Sequence, residues 1–285
     1  MPVPVPGRIA EALRRSTVEI RTGDRLYQGN GSGAVIWPEQ VITNAHVLHG
    51  NTLSITAWEG KVVSGSVLKI DRRRDLALLS APGLNAPVAS LGDSDKLRAG
   101  TPLFAIGNPL GFVGAVSSGV VHAVGALGPG FLGLQWVQAD LRLAPGNSGG
   151  PLADFCGQIV GINTMITSNG LALAVPSRAV QVFLARTGSP PELGVVLRAV
   201  SIRTGEFGML ILELVPGGAA ESASLLPGDI LIAANDRRFR FADDLQTAIE
   251  QAPGALLRID FYRGGQPAMR RVVAKLQPEQ ARNAA

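Results

Sequence analysis

Between about Ser16 and Ile166 the chain is cut into short apolar runs by Gly, Pro, Asn and Asp, and this punctuation limits what it can become. Leu53 to Ala57, Val62 to Leu68, Val116 to Val124 and Gln158 to Asn163 read as strands, each closed by turn residues. Short strands at close spacing with turn signals between them predict an all-β barrel or sandwich. A helical turn or two is expected over Ile9 to Arg15. A helix is expected over Pro176 to Arg186, where apolar residues recur at helical spacing and a proline at the start gives up an N–H that has no partner anyway. Thr187-Gly188-Ser189-Pro190-Pro191 stops that helix and reads as an interdomain linker. Beyond it lie four more strand runs, Val195 to Val200, Gly208 to Val215, Asp229 to Ala234 and Leu256 to Tyr262, with one helix over Ala242 to Gln251. At 285 residues and 46% hydrophobic content, two domains with their own cores fit the length.

Several function classes drop out on composition. Ala99 to Ala139 has no formally charged residue, which suggests a membrane span, but nine glycines and three prolines interrupt it too often for one spanning helix. Buried barrel strands joined by tight turns are expected there instead. The N-terminus lacks a charged-then-apolar secretory pattern, so as it stands the chain reads as cytoplasmic, and an extracytoplasmic site follows if a leader precedes it. No cluster with metal-ligand spacing appears, and no glycine-rich stretch carries the Lys-Ser/Thr of a phosphate loop, so neither metal nor cofactor is expected. The net charge is +4, with basic runs at Arg72-Arg73-Arg74 and Arg237-Arg238-Phe239-Arg240; each lies beside an acid and near a turn, and solvated loop charge is the reading, with no nucleic-acid partner. The single cysteine, Cys156, rules out an intramolecular disulfide and is expected to be a buried structural thiol.

The chemistry concentrates in Pro145-Gly146-Asn147-Ser148-Gly149-Gly150-Pro151. A serine among glycines exposes its hydroxyl on a tight turn and leaves nearby backbone N–H groups free to meet a developing oxyanion. A base and an orienting acid are available upstream. His46 ends the run Val41-Ile42-Thr43-Asn44-Ala45, and Asp75 opens the run Leu76-Ala77-Leu78-Leu79. A carboxylate at the edge of a core can fix an imidazole's tautomer and support its positive charge, and the order His, Asp, Ser is one of the known triad orders. His49 and His122 lack the Asn-Ala-His context and are assigned structural or solvent roles.

These blocks resemble the trypsin-like serine proteases and, within them, the HtrA/Deg family, as do Gly31-Ser32-Gly33-Ala34-Val35-Ile36, Ala105-Ile106-Gly107-Asn108-Pro109-Leu110-Gly111 and Leu173-Ala174-Val175-Pro176-Ser177. The resemblance implies a mainly β fold: a chymotrypsin-like double β-barrel protease domain over residues 1–187, a linker over 188–192, a small α+β PDZ domain over 193–277 and a tail over 278–285. It implies Ser148 as nucleophile, His46 as general base and acid, Asp75 as its orienting partner, and the N–H groups of Gly146 and Ser148 as the oxyanion hole, switched by the peptide orientation at Asn147. Where the family has small residues before the serine, this chain has Arg142 and Leu143, expected at the specificity-pocket wall. An inward Arg142 favours acidic or polar P1 residues and an outward one leaves a small apolar pocket; the outward reading is preferred because an unpaired buried guanidinium is expensive. The loop from Arg21 to Gly31 is too short for a long regulatory insertion.

Val215-Pro216-Gly217-Gly218-Ala219-Ala220 and Leu225-Leu226-Pro227-Gly228-Asp229-Ile230-Leu231 look like a PDZ domain in this family's permuted arrangement, with Asn235-Asp236 as a following turn. By that resemblance Leu193-Gly194-Val195 is the carboxylate-binding loop, although Glu192 stands where an aromatic is usual. A peptide C-terminus there would sit on backbone N–H groups and add as a strand. The expected activity is ATP-independent endoproteolysis of unfolded or damaged proteins, with peptide C-termini as PDZ partners. A homotrimer is implied by resemblance alone, since the N-terminal segment lacks the aromatic residues often used for its packing. A peptide-binding scaffold with a silent protease domain and a nucleic-acid binder are the rival classes.

Overall fold

The computed structural model describes residues 6–23, 28–126, 134–186, 191–202, 206–240, 243–250, 252–265 and 268–278. Residues 24–27 of the short loop, 188–190 of the expected linker, both ends of the helix expected over Ala242 to Gln251, and the tail from 279 lie outside the described residues. The chain forms two compact units, the first ending at Arg186.

The first unit opens with helix α1 (Pro6–Arg15) and seven strands: β1 (Thr17–Gly23), β2 (Gln28–Trp37), β3 (Gln40–Thr43), β4 (Thr52–Thr56), β5 (Val62–Ser64), β6 (Ser66–Asp71) and β7 (Leu76–Ser80). They pair in the order β5-β4-β1-β2-β3-β7-β6. The two edge strands, β5 and β6, are separated in the chain by Gly65 alone, so the sheet must curl until its edges nearly meet. The apolar run from Val62 to Leu68 therefore serves as two strands, switching partner at a glycine. Gly65 donates its N–H to the Leu53 carbonyl at 3.0 Å, and a Cβ there would lie 2.8 Å from Ile55 Cδ1. Val18, Ile20, Val41, Ile55 and Leu79 fill the concave side.

The rest of this unit is a closed barrel of six strands, β8 (Pro102–Gly107), β9 (Ala115–Ala126), β10 (Gln135–Asp140), β11 (Pro151–Asp154), β12 (Ile159–Ile166) and β13 (Ala172–Pro176), in the order β10-β13-β12-β11-β8-β9. The uncharged stretch from Ala99 to Ala139 thus supplies three of its staves. Leu103, Val121, Val137, Leu152 and Val160 form its core. Closure removes the sheet edges that short strands otherwise leave unpaired. Helix α1 docks on the barrel through Ile9 and Leu13, one turn apart, against Phe104 and Ile106. Helix α2 (Ser177–Ala185) follows β13, with Pro176 just before its first turn. No helix among the described residues is long and apolar enough to cross a membrane.

The expectation of a buried thiol is corrected. Cys156 is exposed, because it sits in the tight turn joining β11 to β12 instead of in the strand after it. Its N–H donates to Asp154 Oδ1 at 2.8 Å, which fixes the turn and turns the side chain to solvent.

The second unit has strands β14 (Pro191–Glu192), β15 (Val195–Ser201) and β16 (Phe207–Leu214), helix α3 (Ala219–Ser222), strands β17 (Ile230–Ala234) and β18 (Arg237–Arg238), helix α4 (Asp243–Glu250), and strands β19 (Leu256–Tyr262), β20 (Arg270–Lys275) and β21 (Gln277–Pro278). The sheet runs β15-β16-β17-β19-β20, with β18 folded back on β17. Asn235 and Asp236 take φ of +46° and +63°, the left-handed pair that a tight hairpin requires and that Asn and Asp tolerate. Its core gathers Leu193, Met209, Leu231, Leu245, Leu257 and Phe261. Buried Asp229 is held by the Arg263 guanidinium through two contacts of 2.7 Å, a paired arrangement that offsets its desolvation.

Candidate active site

His46 lies on a 3-10 turn, Ala45–Val47, that follows β3. Ala45 and Val47 on either side are buried, so the turn is anchored by its neighbours while the imidazole stands half exposed. Asp75 lies in the turn between β6 and β7 with φ of +55°, a left-handed conformation that aspartate accepts more readily than most residues. Its carboxylate meets His46 twice: Oδ1 accepts the His46 backbone N–H at 2.9 Å and Oδ2 faces Nδ1 at 2.6 Å. An ionised carboxylate only accepts, so Nδ1 carries the proton and the neutral ring presents Nε2 as an acceptor.

The turn holding Asp75 is braced by a residue the sequence reading had left in solvent. Arg74 pairs with buried Asp71, N–H to Oδ1 at 2.9 Å and guanidinium to Oδ2 at 2.8 Å. Its side chain is only 13% exposed. That part of the basic run is therefore a structural pin, not solvated loop charge.

Ser148 sits between Asn147 and Gly149 in the loop before β11. Its Oγ donates to the Thr164 carbonyl at 3.0 Å, not to His46. Asn44, just before the histidine, links both sides: its Nδ2 donates to the Asp75 carbonyl at 2.8 Å and to Thr164 Oγ1 at 3.1 Å. The loop is tied down on itself, with Asn147 N–H on the Ala144 carbonyl and Gly150 N–H on the Asn147 carbonyl, both at 3.0 Å. The N–H groups of Gly146 and Ser148 reach no acceptor among the described residues, so both stay available to an incoming oxygen.

The glycines are demanded by contact. Gly146 has φ of +102°, and a Cβ there would lie 2.6 Å from the Asn108 carbonyl oxygen. At Gly149, φ +85°, it would lie 2.1 Å from both the Ser32 carbonyl oxygen and Thr43 Oγ1. Ser32 is the joint between the two halves. Its N–H donates to the Ser148 carbonyl at 2.8 Å, its Oγ donates to the Gly146 carbonyl at 2.7 Å, and the same Oγ accepts the Asn108 N–H at 2.8 Å. Ser32 and Asn108 stood inside stretches noted in the sequence, but nothing in their local pattern showed that they meet.

Arg142 is exposed and contributes, with Ser117, Ser118, Asp140 and Gly170, to a surface cavity of about 520 Å³, while Leu143 packs against the barrel core. His49 and His122 are exposed, and the His49 backbone N–H donates to Thr22 Oγ1 at 3.4 Å. In the second unit, Leu193 is buried in the core and its carbonyl accepts the Ala220 N–H at 2.8 Å. Gly194 has φ of +74° and its carbonyl accepts the Val215 N–H at 2.9 Å. Val195 begins β15, an edge strand paired only with β16 among the described residues.

Comparison with known proteins agrees with both units. Residues 31–162 match the trypsin-like peptidase domain family and residues 210–263 match the PDZ domain family. Two Synechocystis sp. proteins named as serine proteases are similar: HhoB at 33% identity over 86% of this chain, and HhoA at 31% over 91%. The chain spans 66% of the length of HhoB and 73% of HhoA. Among solved structures, the HtrA-type protease AlgW with a tripeptide superposes with a TM-score of 0.70 at 25% identity, covering 97% of this chain and 99% of AlgW. With 31% identity sustained over nearly three quarters of a relative and over both of its own units, the chain belongs to the HtrA/Deg family of trypsin-like serine proteases carrying a PDZ domain.

Proposed function

We propose that this chain is an ATP-independent serine endoprotease of unfolded polypeptides, with Ser148 as nucleophile. The observation that carries the reading is the two-point grip of Asp75 on His46, which fixes the tautomer needed for a base, in a chain whose Gly146 and Ser148 N–H groups are left without acceptors. Ser148 Oγ first turns from the Thr164 carbonyl toward His46 Nε2. It then attacks the scissile carbonyl carbon while its proton passes to Nε2. The carbonyl oxygen takes the negative charge and is met by the two backbone N–H groups. Asp75 stabilises the imidazolium without taking its proton. His46 returns the proton to the leaving amine as the C–N bond breaks, and water, deprotonated by the same imidazole, releases the acyl group as a carboxylic acid.

The protease part is assigned to the unit ending at Arg186, with Leu143 lining a small apolar P1 pocket and Arg142 outside it. The PDZ part, residues 193–277, is assigned to binding peptide C-termini. Leu193 and Gly194 supply backbone N–H groups for the carboxylate, and the open edge of β15 pairs with the peptide as an added strand. AlgW has been solved with a decapeptide and with a tripeptide, which supports a peptide site in this architecture.

Casein cleavage by the wild-type chain and by Ser148→Ala tests the reading. Cleavage should be lost by at least about 10⁴-fold in the variant, the scale on which triad members act. Undiminished cleavage in Ser148→Ala would sink it, as would a wild type that stays inert even after C-terminal peptides are added.

A further inference from the structure

The basic run Arg237-Arg238-Phe239-Arg240 does not lie on a flat solvated face. With Arg258 it surrounds a cleft of about 1010 Å³ in the second unit, between β18, α4 and the start of β19. No lining residue comes from Leu193–Ser201, so the cleft is separate from the proposed C-terminus site. Its charge is local. Residues 193–277 carry ten basic and nine acidic side chains, yet four arginines and one acid, Asp244, line this cleft.

Two of the arginines are already engaged: Arg238 with Glu206 at 2.6 Å and Arg258 with Asp236 at 3.0 Å. The side chains of Arg237 and Arg240 have no carboxylate partner among the described residues; Asp244 accepts the Arg240 backbone N–H instead. Two guanidiniums without partners at a concave surface raise the local positive potential and favour an anionic guest. The apolar component is also present. Ala234 and Phe239 are buried in the wall, while Leu256 and Val273 are 48% and 53% exposed and would leave water when a guest arrives.

We infer that this cleft binds an internal polypeptide segment in which Asp or Glu residues alternate with apolar ones. Guanidiniums suit carboxylates by their fork geometry, and the exposed Leu256 and Val273 suit apolar side chains set between them. Single-stranded nucleic acid fits less well: its bases need exposed aromatic platforms, and the aromatic among the described lining residues, Phe239, is only 5% exposed. A membrane surface also fits less well, since interfacial binding uses a protruding apolar face and this site is a hollow. The site is independent of the protease chemistry.

The test uses the full chain carrying Ser148→Ala, so that the probe survives, and a fluorescent peptide of alternating Glu and Leu. Both peptide ends are blocked, with an amide in place of the terminal carboxylate, so the Leu193–Val195 loop has nothing to capture. Anisotropy should report binding that weakens with added salt. Arg237→Glu with Arg240→Glu should weaken it roughly 10-fold or more, while the Lys pair at the same positions retains most of the affinity. No binding, binding indifferent to the Glu pair, or equal binding of a Lys-for-Glu peptide would each overturn the inference. An oligo-dT strand that binds more tightly with the same arginine dependence would reassign the cleft to nucleic acid. None of these results depends on whether casein is cleaved, so failure here and failure of the protease reading are distinguishable.

Discussion

Ser32 is the residue on which the candidate site is most exposed to a single change. Its hydroxyl holds the carbonyl of Gly146, whose N–H is the proposed oxyanion donor, and it is itself held by Asn108. Ser32→Ala leaves a buried carbonyl without its donor, which costs about 1–3 kcal/mol, and loosens the Gly146–Asn147 peptide next to that N–H. Because oxyanion donors act mainly in the transition state, kcat should fall by about 10- to 100-fold with little change in KM. A KM rise with kcat intact, measured on a short chromogenic peptide, would instead make Ser32 a substrate-binding residue. Asp75→Asn keeps the shape of the pair but not its charge, and the activity should fall by about 10⁴-fold. The Ser148, His46 and Asp75 candidates were all legible as residue types in motifs. The two contacts that join the acid to the base span 29 positions and could only be guessed from chain order.

At the scale of elements, close approach of backbones decides what each turn tolerates. Gly149→Ala puts a methyl group 2.1 Å from the Ser32 carbonyl oxygen and from Thr43 Oγ1, on a backbone with φ of +85°. The Ser32 carbonyl is backbone and the buried Thr43 hydroxyl is tied to it by a hydrogen bond, so strand β2 and the serine loop must separate. A loss of about 3 kcal/mol or more is expected, seen as a Tm lower by roughly 10 °C, and an unchanged Tm would show that the loop relaxes freely. Strands β19 and β20 are locked differently. Asp260 pairs with Arg271 through contacts of 2.5 and 2.9 Å, and hydrogen bonding to that guanidinium holds the Asp260 carboxyl below the usual aspartate range despite its burial. A folded pKa below the unfolded one contributes stability that is present above about pH 4 and is lost as pH falls through the folded value. Hydrogen exchange of β19 and β20 should therefore be faster in Arg271→Gln than in wild type at neutral pH. That difference should persist to about pH 4 and close only below it. A difference that widens on acidification would contradict the pairing.

At the scale of the molecule, each unit has a core of its own, the first built from sheet and barrel, the second from five strands and α4. A chain ending at Arg186 is therefore expected to fold cooperatively by itself and to cleave casein. Activity should no longer respond to C-terminal peptides once the PDZ unit is gone. Differential calorimetry of the shortened chain should reproduce one transition of the full-length protein; a shortened chain that melts without a transition would show that the cores are not independent. The helices and strands of both units were largely readable, because period and punctuation are local properties. The sequence reading ran Val62 to Leu68 as one strand, since nothing local reveals that Gly65 hands the chain from one edge of a sheet to the other. It likewise gave no sign of β20, whose two leading arginines and exposed Val273 mask an alternating strand.

The candidate chemistry was legible in the sequence alone: a serine set among glycines, a histidine and an aspartate each bordering an apolar run, and two lengths of strand-and-turn punctuation with a Pro-Gly break between them. Residue type and short spacing carry that information without any fold. Tertiary structure decided everything that depends on distant segments meeting. It set the hydroxyl of Ser32 on the carbonyl of Gly146, 114 positions away, and turned the Ser148 hydroxyl to Thr164. It also brought Arg258 beside the run Arg237–Arg240 around one cleft. Such contacts are fixed by how closed sheets bring their loops together, and no window of sequence contains both partners.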